Sequence, residues 1–407
     1  MESLKNFFNP TVSNFVHLDI NSCFATLEQQ ANPLLRHKPL VVTAYNGRNG
    51  CVLASSVQAK KLGIKTGMRL SQAQKIYPKV NVLTSDPNKY RFVHFQIKDL
   101  LSQYTPIVIP KSIDEFVMDF SNTFLQKNLL QISTEIKQRI KKEIGDYITV
   151  SVGVGPNTFL AKTASNLHKP DGLDEINSQN FLSIYKELKL TDLTGISTKT
   201  ATRLNMVGID TVLDLYDADL ALLKKAFRSV LASYWYQKIR GYEAGSFSDL
   251  TKSIGHTYTL PRASANQREV LSVLSKLAEK VSIRLRRNNL VAHGFSLAVY
   301  YQDRSFYHKS LTTNVSLFHS MDIYRLSERV LNGFPGTPVR NLSLTCFSLS
   351  PLNLLQLDLF DSVSKKADLD ICLDKIKSRW GSFAIFPASM ANTKDHAPDA
   401  IGFGNIP

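Results

Sequence analysis

No aspartate or glutamate occurs between residues 31 and 80, a stretch that carries nine lysines and arginines. Residues 251–350 hold thirteen basic and five acidic side chains, and the whole chain of 407 residues has a net charge of +15. The remainder is therefore slightly acidic. Basic charge gathered into two separate regions suits a protein that grips a polyanion from two sides, with nucleic acid the first candidate. Solubility alone would not require that segregation. Cysteine is also scarce: Cys23, Cys51, Cys346 and Cys372 are scattered, with no CxxC pair. This excludes a zinc-finger spacing or a disulfide framework and fits a reducing, cytoplasmic setting. There is no apolar run of about 18 residues, the length a membrane span needs. The polar first eleven residues lack the apolar segment of a secretory signal. Apolar and charged contents of 43% and 20% are those of a folded chain, and its length suggests two to four domains.

Alternation over residues 14–20, with Phe15, His17 and Asp19 against Val16, Leu18 and Ile20, predicts a strand. A helix capped by Asn21 or Ser22 follows to about residue 30. Strands over 39–43 and 51–53 flank an Asn-Gly-Arg-Asn-Gly turn and lead into short basic helices near 56–62 and 70–77. Then come a helix near 87–103, strands over 107–109 and 113–120, a helix over 125–144, a strand over 147–154 and a helix over 157–167. Strands mixed with crossover helices predict an α+β domain with a covered sheet. The turn Lys169-Pro170-Asp171-Gly172 marks its edge. Residues 188–243 read as short helices only and 245–251 as a linker. Residues 253–348 read as four strands and two helices, with Phe295, Leu297, Val299 and Tyr301 on one alternating face.

Asp19 ends one apolar strand, and Asp114-Glu115 opens another. Buried carboxylates without partners are costly, and magnesium, a hard cation that takes oxygen ligands, would supply one. Spacing alone leaves solvated strand-end charges as an equal reading.

Longer strings decide between the two. Val16-His17-Leu18-Asp19-Ile20-Asn21-Ser22-Cys23-Phe24-Ala25 resembles the first metal motif of Y-family (translesion, UmuC/DinB-like) DNA polymerases. Ser112-Ile113-Asp114-Glu115 resembles the second. Ser151-Val152-Gly153-Val154-Gly155-Pro156-Asn157, with Leu160-Ala161-Lys162 and Lys169-Pro170-Asp171-Gly172, resembles the third. The resemblance covers roughly residues 14–360. It implies an α+β multidomain right-hand polymerase: a palm (1–30 and 81–180), fingers (31–80), a helical thumb (181–248), and a little finger of one sheet and two helices (249–350). Residues 351–407 would be a C-terminal tail.

The same resemblance implies that Asp19, Asp114, Glu115 and the carbonyl of Ile20 hold two Mg²⁺ ions for transfer of a dNTP to a primer 3′-hydroxyl. It implies nucleotide contacts at Asn21, Ser22, Cys23, Phe24, Lys60 and Lys169, with Phe24 as the steric gate against the ribose 2′-hydroxyl. Lys169 matches the triphosphate lysine, whereas Lys162 reads as a packing lysine. Ser56-Val57-Gln58-Ala59-Lys60 replaces the usual Tyr-x-x-Arg, a departure that looks like the UmuC branch. Lys60 cannot make the bidentate phosphate contact of an arginine.

A helix-hairpin-helix-like turn at residues 194–209 places Lys199 and Arg203 for a DNA phosphate. Arg284, Arg286 and Arg287 crowd a helix end that could track the backbone of primed template DNA. Gln356, Leu357, Leu359 and Phe360 resemble a peptide that binds the bacterial sliding clamp, and accessory proteins are further expected partners. The expected activity is error-prone copying past damage in DNA repair. Two rivals stand beside it, a non-catalytic DNA-binding subunit that kept the fold and a nucleotidyl cyclase. A cyclase would need neither the basic regions nor the clamp peptide.

Overall fold

The computed structural model describes residues 8–45, 47, 50–244, 251–331, 336–354, 362–381 and 383–398. The chain divides into two units, Met1–Phe247 and Ser248–Asp399.

The first unit opens with β1 (Phe15–Ile20) and α1 (Cys23–Ala31). It continues through β2 (Leu40–Thr43), β3 (Val52–Ser55), α2 (Val57–Lys61), α3 (Leu70–Ile76) and β4 (Asn81–Thr84). Next come α4 (Pro87–Leu101), β5 (Ile107–Pro110), β6 (Glu115–Asp119), α5 (Leu129–Arg139), β7 (Val150–Gly155), α6 (Thr158–Ala164) and β8 (Leu173–Glu175). Five short helices close it: α7 (Phe181–Glu187), α8 (Thr198–Asn205), α9 (Val212–Asp217), α10 (Leu220–Phe227) and α11 (Leu231–Lys238).

The main sheet runs in the order β5-β6-β1-β7-β8. β1 lies at its centre, antiparallel to both neighbours, with Asp19 opposite Glu115 on β6 and Ser151 on β7. Residues directly opposite share a face, so the period of two sorts β1 cleanly. Val16, Leu18 and Ile20 enter the core shared with Phe24, Tyr90, Ile97 and Ile136 of α1, α4 and α5. Phe15, His17 and Asp19 take the other face, which α6 covers: Phe15, Val117 and Ala161 form its small core. On that face β7 presents Gly153, and a Cβ there would lie 2.0 Å from the Ala161 carbonyl oxygen and 2.2 Å from the Ser165 nitrogen. Only glycine lets α6 sit this close. Helix α6 stops short of the strand end, where Asp19 and Glu115 are left partly open.

A smaller sheet, β3-β2-β4, packs α2 and α3 around Val41, Val52, Ala59, Ile64 and Leu70. Helices α7–α11 share an aromatic core of Phe181, Tyr185, Tyr216 and Trp235.

The second unit contains β9 (Ser253–Ser264), α12 (Gln267–Arg287), β10 (Leu290–Tyr301), β11 (Phe306–Leu317), α13 (Ser320–Leu331), β12 (Val339–Pro351) and α14 (Ser362–Trp380). Its sheet, β11-β10-β12-β9, is antiparallel throughout. Phe295, Leu297 and Val299 are buried against α12, with Tyr301 partly buried beside them.

Within the segment expected to be a C-terminal tail, residues 362–381 and 383–398 pack on this unit. Asp374 on α14 receives Arg286 through two 2.8 Å hydrogen bonds, and Asp370 lies 3.4 Å from the same guanidinium. His319 contacts Asp370 at 3.0 Å, Lys366 contacts Asp322 at 2.8 Å, and Lys377 pairs with Glu279. Lys276 donates to the carbonyls of Thr393 and Lys394 at 2.5 and 2.9 Å, and Met390 and Ala397 are buried. Arg286 is thereby removed from the expected DNA contacts, because its guanidinium is buried and satisfied by two carboxylates. Arg284 is also engaged, donating to the Gly255 carbonyl on β9 at 2.8 Å. Of the three arginines only Arg287 is exposed.

Candidate active site

Asp19, Asp114 and Glu115 lie where β1 ends and β6 begins. Asp19 and Glu115 are directly opposite in register, and the Ile20 amide donates to the Asp114 carbonyl at 2.9 Å. Each carboxylate has its own surroundings. Lys169 Nζ lies 2.5 Å from Asp19 Oδ2. Ser112 donates to Asp114 at 2.5 Å. Lys162, on α6, pairs with Glu115, and His17 Nε2 stands 3.5 Å from the same oxygen.

The electrostatics follow from these partners. Burial, together with the charges of Asp19 and Glu115, raises Asp114 above the usual carboxylate range despite the Ser112 bond. Burial also pushes Glu115 upward, but His17 and Lys162 outweigh it and hold its pKa at about 2. Asp114 is thus the carboxylate most short of a positive partner. Among the described residues, no three His, Cys, Asp or Glu side chains already converge as a metal cage. What the carboxylates do have is two lysine ammoniums, which occupy the place of cations.

Beside Asp19 opens a cleft of about 420 Å³ lined by Asn21, Ser22, Val57, Lys60, Lys61 and Lys169. Lys60 is held below its usual range by desolvation and by the neighbouring Lys169. The first-turn amides of α1 have no acceptor within the helix, and the buried Ser22 hydroxyl has no partner among the described residues. Cationic side chains, free amides and one hydroxyl make a cleft suited to a polyphosphate.

Not every expected nucleotide contact faces that cleft through its side chain. The Cys23 thiol is buried in the core, its pKa raised by burial and by Asp114 and Asp19. Only its main chain remains for the nucleotide. Phe24 is 5% exposed and stacks flat on Tyr90, 4.4 Å between centroids. Tyr90 is anchored in turn by its hydroxyl, which donates to Glu28 at 2.8 Å. Asn21 is 4% exposed, and both ends of its amide are engaged.

His17 was not singled out in the sequence, although strand parity puts it on the face of Asp19. Lys162, read there as a packing or structural lysine, pairs with a carboxylate of the site. Farther along, Lys199 and Arg203 are exposed one turn apart on α8, whose N-cap is Ser197. Gln356, Leu357, Leu359 and Phe360 lie outside the described residues.

Residues 18–166 match the impB/mucB/samB family, and residues 251–359 match the C-terminal domain of that family. The chain is 32% identical over 378 residues to DNA polymerase IV of Pelotomaculum thermopropionicum, covering 91% of this chain and 93% of that one. It is 31% identical to DNA polymerase IV 1 of Bacillus subtilis, covering 90% of each. Among solved structures it resembles a Y-family DNA polymerase chimera of Dbh and Dpo4, with TM-score 0.74, 25% identity, and 84% and 99% of the two chains covered. It also resembles an insertion ternary complex of Dbh DNA polymerase, with TM-score 0.60, 25% identity and coverage of 82% and 98%.

Proposed function

Because the chain belongs to the impB/mucB/samB family of Y-family DNA polymerases and is itself a translesion DNA polymerase acting in DNA repair, we propose that Asp19, Asp114 and Glu115 are its catalytic carboxylates. The observation that carries this is the register of β1 and β6, which sets Asp19 opposite Glu115 with Asp114 adjoining. The donor set fits divalent Mg²⁺: all oxygen, partly buried, and now balanced by ammonium groups. The side chains of Asp19, Asp114 and Glu115, with the Ile20 carbonyl, would hold two ions. Bound there, the ions would lower the pKa of the primer hydroxyl and neutralise the triphosphate and departing pyrophosphate.

The chain's own residues do the positioning. Lys169 and Lys60 bring positive charge to the triphosphate, and Ser22 and the α1 amides offer hydrogen bonds. Val57 contributes no hydroxyl, and Lys60 meets phosphate as a point charge. Lys199, Arg203 and Arg287 remain as candidate contacts to the DNA backbone. The palm is β1, α1 and the rest of the five-stranded sheet with its helices. The β2–β4 sheet forms the fingers, α7–α11 the thumb, and the second unit the little finger. The peptide around Gln356 and Phe360 is proposed to dock on a sliding clamp. Among the described residues no helix is long and apolar enough to cross a membrane. Nothing in the comparisons favours a non-catalytic DNA-binding subunit.

Primer extension on an undamaged primed template tests this reading. Template-matched addition of dNTPs that stops on chelation and returns with Mg²⁺ is expected; DNA binding without extension would overturn it. The steric gate has its own test. Phe24→Ala removes a ring locked by Tyr90 and opens space beside the sugar, so ribonucleotide insertion is expected to rise by roughly a hundredfold relative to deoxyribonucleotide, about 2.7 kcal/mol of lost discrimination. Unchanged sugar selection would end the assignment.

A further inference from the structure

We propose that Asn21 is a positioning residue for nucleotide binding, fixing the loop that carries Lys169 rather than touching the nucleotide through its own amide. The inference rests on the phosphate role proposed for Lys169. Asn21 follows the end of β1, two residues after Asp19, and its main-chain amide continues the sheet by donating to the Thr149 carbonyl at 2.9 Å. Its side chain has no freedom left. Nδ2 donates to Ser151 Oγ at 2.9 Å, and Oδ1 accepts from the Asp171 amide at 2.8 Å. The amide therefore spans from β7, in the sheet, to the loop two residues beyond Lys169.

That loop is held by two lysines as well. Lys137 donates to the Asp171 and Gly172 carbonyls at 2.5 and 3.0 Å, and Lys141 lies 2.7 Å from the Asp171 carboxylate. Asp171 adopts a left-handed conformation, with φ 61°. A non-glycine residue keeps such a conformation only where its surroundings impose it. Asn21 and the two lysines together impose it. Lys169, at the near end of the loop, is thereby placed over Asp19 and in the wall of the cleft. A buried amide suits the position, because one group both donates and accepts and brings no further charge to a site already rich in carboxylates.

The contact is a register pin. Cutting it leaves the loop held by Lys137 and Lys141 alone, and a less firmly placed lysine loses rotamer freedom on meeting phosphate that it has already lost here. Asn21→Ala is expected to raise the dissociation constant of an incoming dNTP by roughly tenfold, with kcat changed by less than about threefold. Lys169→Ala should weaken dNTP binding further. The double variant should bind within about twofold of Lys169→Ala alone, because Asn21 acts through that lysine. Ser151→Ala, which removes only the far partner, should shift binding in the same direction by a smaller factor, and serves if Asn21→Ala folds poorly. Binding is read by equilibrium dNTP titration of the primed complex, beside thermal unfolding of each variant.

Normal dNTP binding by Asn21→Ala next to a weakened Lys169→Ala would overturn the inference alone. Multiplicative losses in the double variant would do the same. Normal binding by Lys169→Ala would instead remove the phosphate role of that lysine, and the inference with it.

Discussion

Asp114→Ala/Glu115→Ala is expected to extend a primer at less than about one-thousandth of the wild-type rate while still folding and binding DNA. The factor corresponds to about 4 kcal/mol of transition-state stabilisation, within the several kcal/mol that bound divalent ions contribute. The variant should fold because the two changes act oppositely on stability. Glu115 has its pKa depressed to about 2 by Lys162 and His17, after burial is overcome. A depressed carboxylate contributes stability that is present above its unfolded value of about 4.3 and is lost as pH falls through about 2. At neutral pH, removing Glu115 forfeits that contribution. Asp114 is raised, by burial first and then by Asp19 and Glu115, so its ionisation opposes folding at neutral pH and its removal gives stability back. Single-turnover extension with saturating Mg²⁺, beside a melting curve and a DNA-binding titration, measures all three. Extension within tenfold of wild type would remove these carboxylates from catalysis.

Arg286→Ala is expected to destabilise the second unit by about 3–5 kcal/mol, the loss typical when one partner of a buried ion pair is removed. The Asp370 side chain is 3% exposed and would keep His319 alone among the described residues, while Asp374 would lose both hydrogen bonds. Arg286→Lys should recover part of the loss, since an ammonium replaces the charge but not the two-pronged contact. Arg287→Ala, one residue on and exposed, should shift stability by no more than about 0.5 kcal/mol. Chemical denaturation, with protease sensitivity of the α14 segment as a second readout, separates the three. Equal stability of Arg286→Ala and Arg287→Ala would show that the network contributes nothing.

Much of this fold was legible in the sequence because its signals are local. The alternation of β1 separated Val16, Leu18 and Ile20 from His17 and Asp19, and the structure divides them the same way. The strands that escaped notice are those whose partners are distant. β4 is four residues long and β8 three, and each pairs in parallel with a strand already made, with no hairpin turn to announce it. The arginines near residue 286 show a different limit. Successive helical residues point about 100° apart, so Arg284 reaches a strand, Arg286 reaches α14 and Arg287 reaches solvent. No local pattern distinguishes them before α14 is placed.

In the site, residue identity indicated the carboxylates, but their pairing came only from three dimensions. Lys162 is 47 residues from Glu115 and Lys169 is 150 from Asp19. Whether Lys162 meets Glu115 depends on how closely α6 lies on β7, and Gly153 permits that approach. Asn21 was expected among the nucleotide contacts, at the opening of a helix that offers N–H groups to an anion. Its side-chain amide holds Ser151 and Asp171.

The way α14 and the chain after it are anchored also bears on where this gene can be shortened. A stop codon just past Phe360 would look harmless on paper, since the matched family domain ends at residue 359. The shortened product would present Lys276, Glu279 and Arg286, all buried in the intact chain, to water without the Thr393 carbonyl, Lys377 and Asp374 that now meet them. Met390 and Ala397 would leave their packing sites vacant. For expression or crystallisation, the second unit therefore needs an endpoint beyond residue 398, and a fluorescent fusion belongs after that point rather than at residue 361.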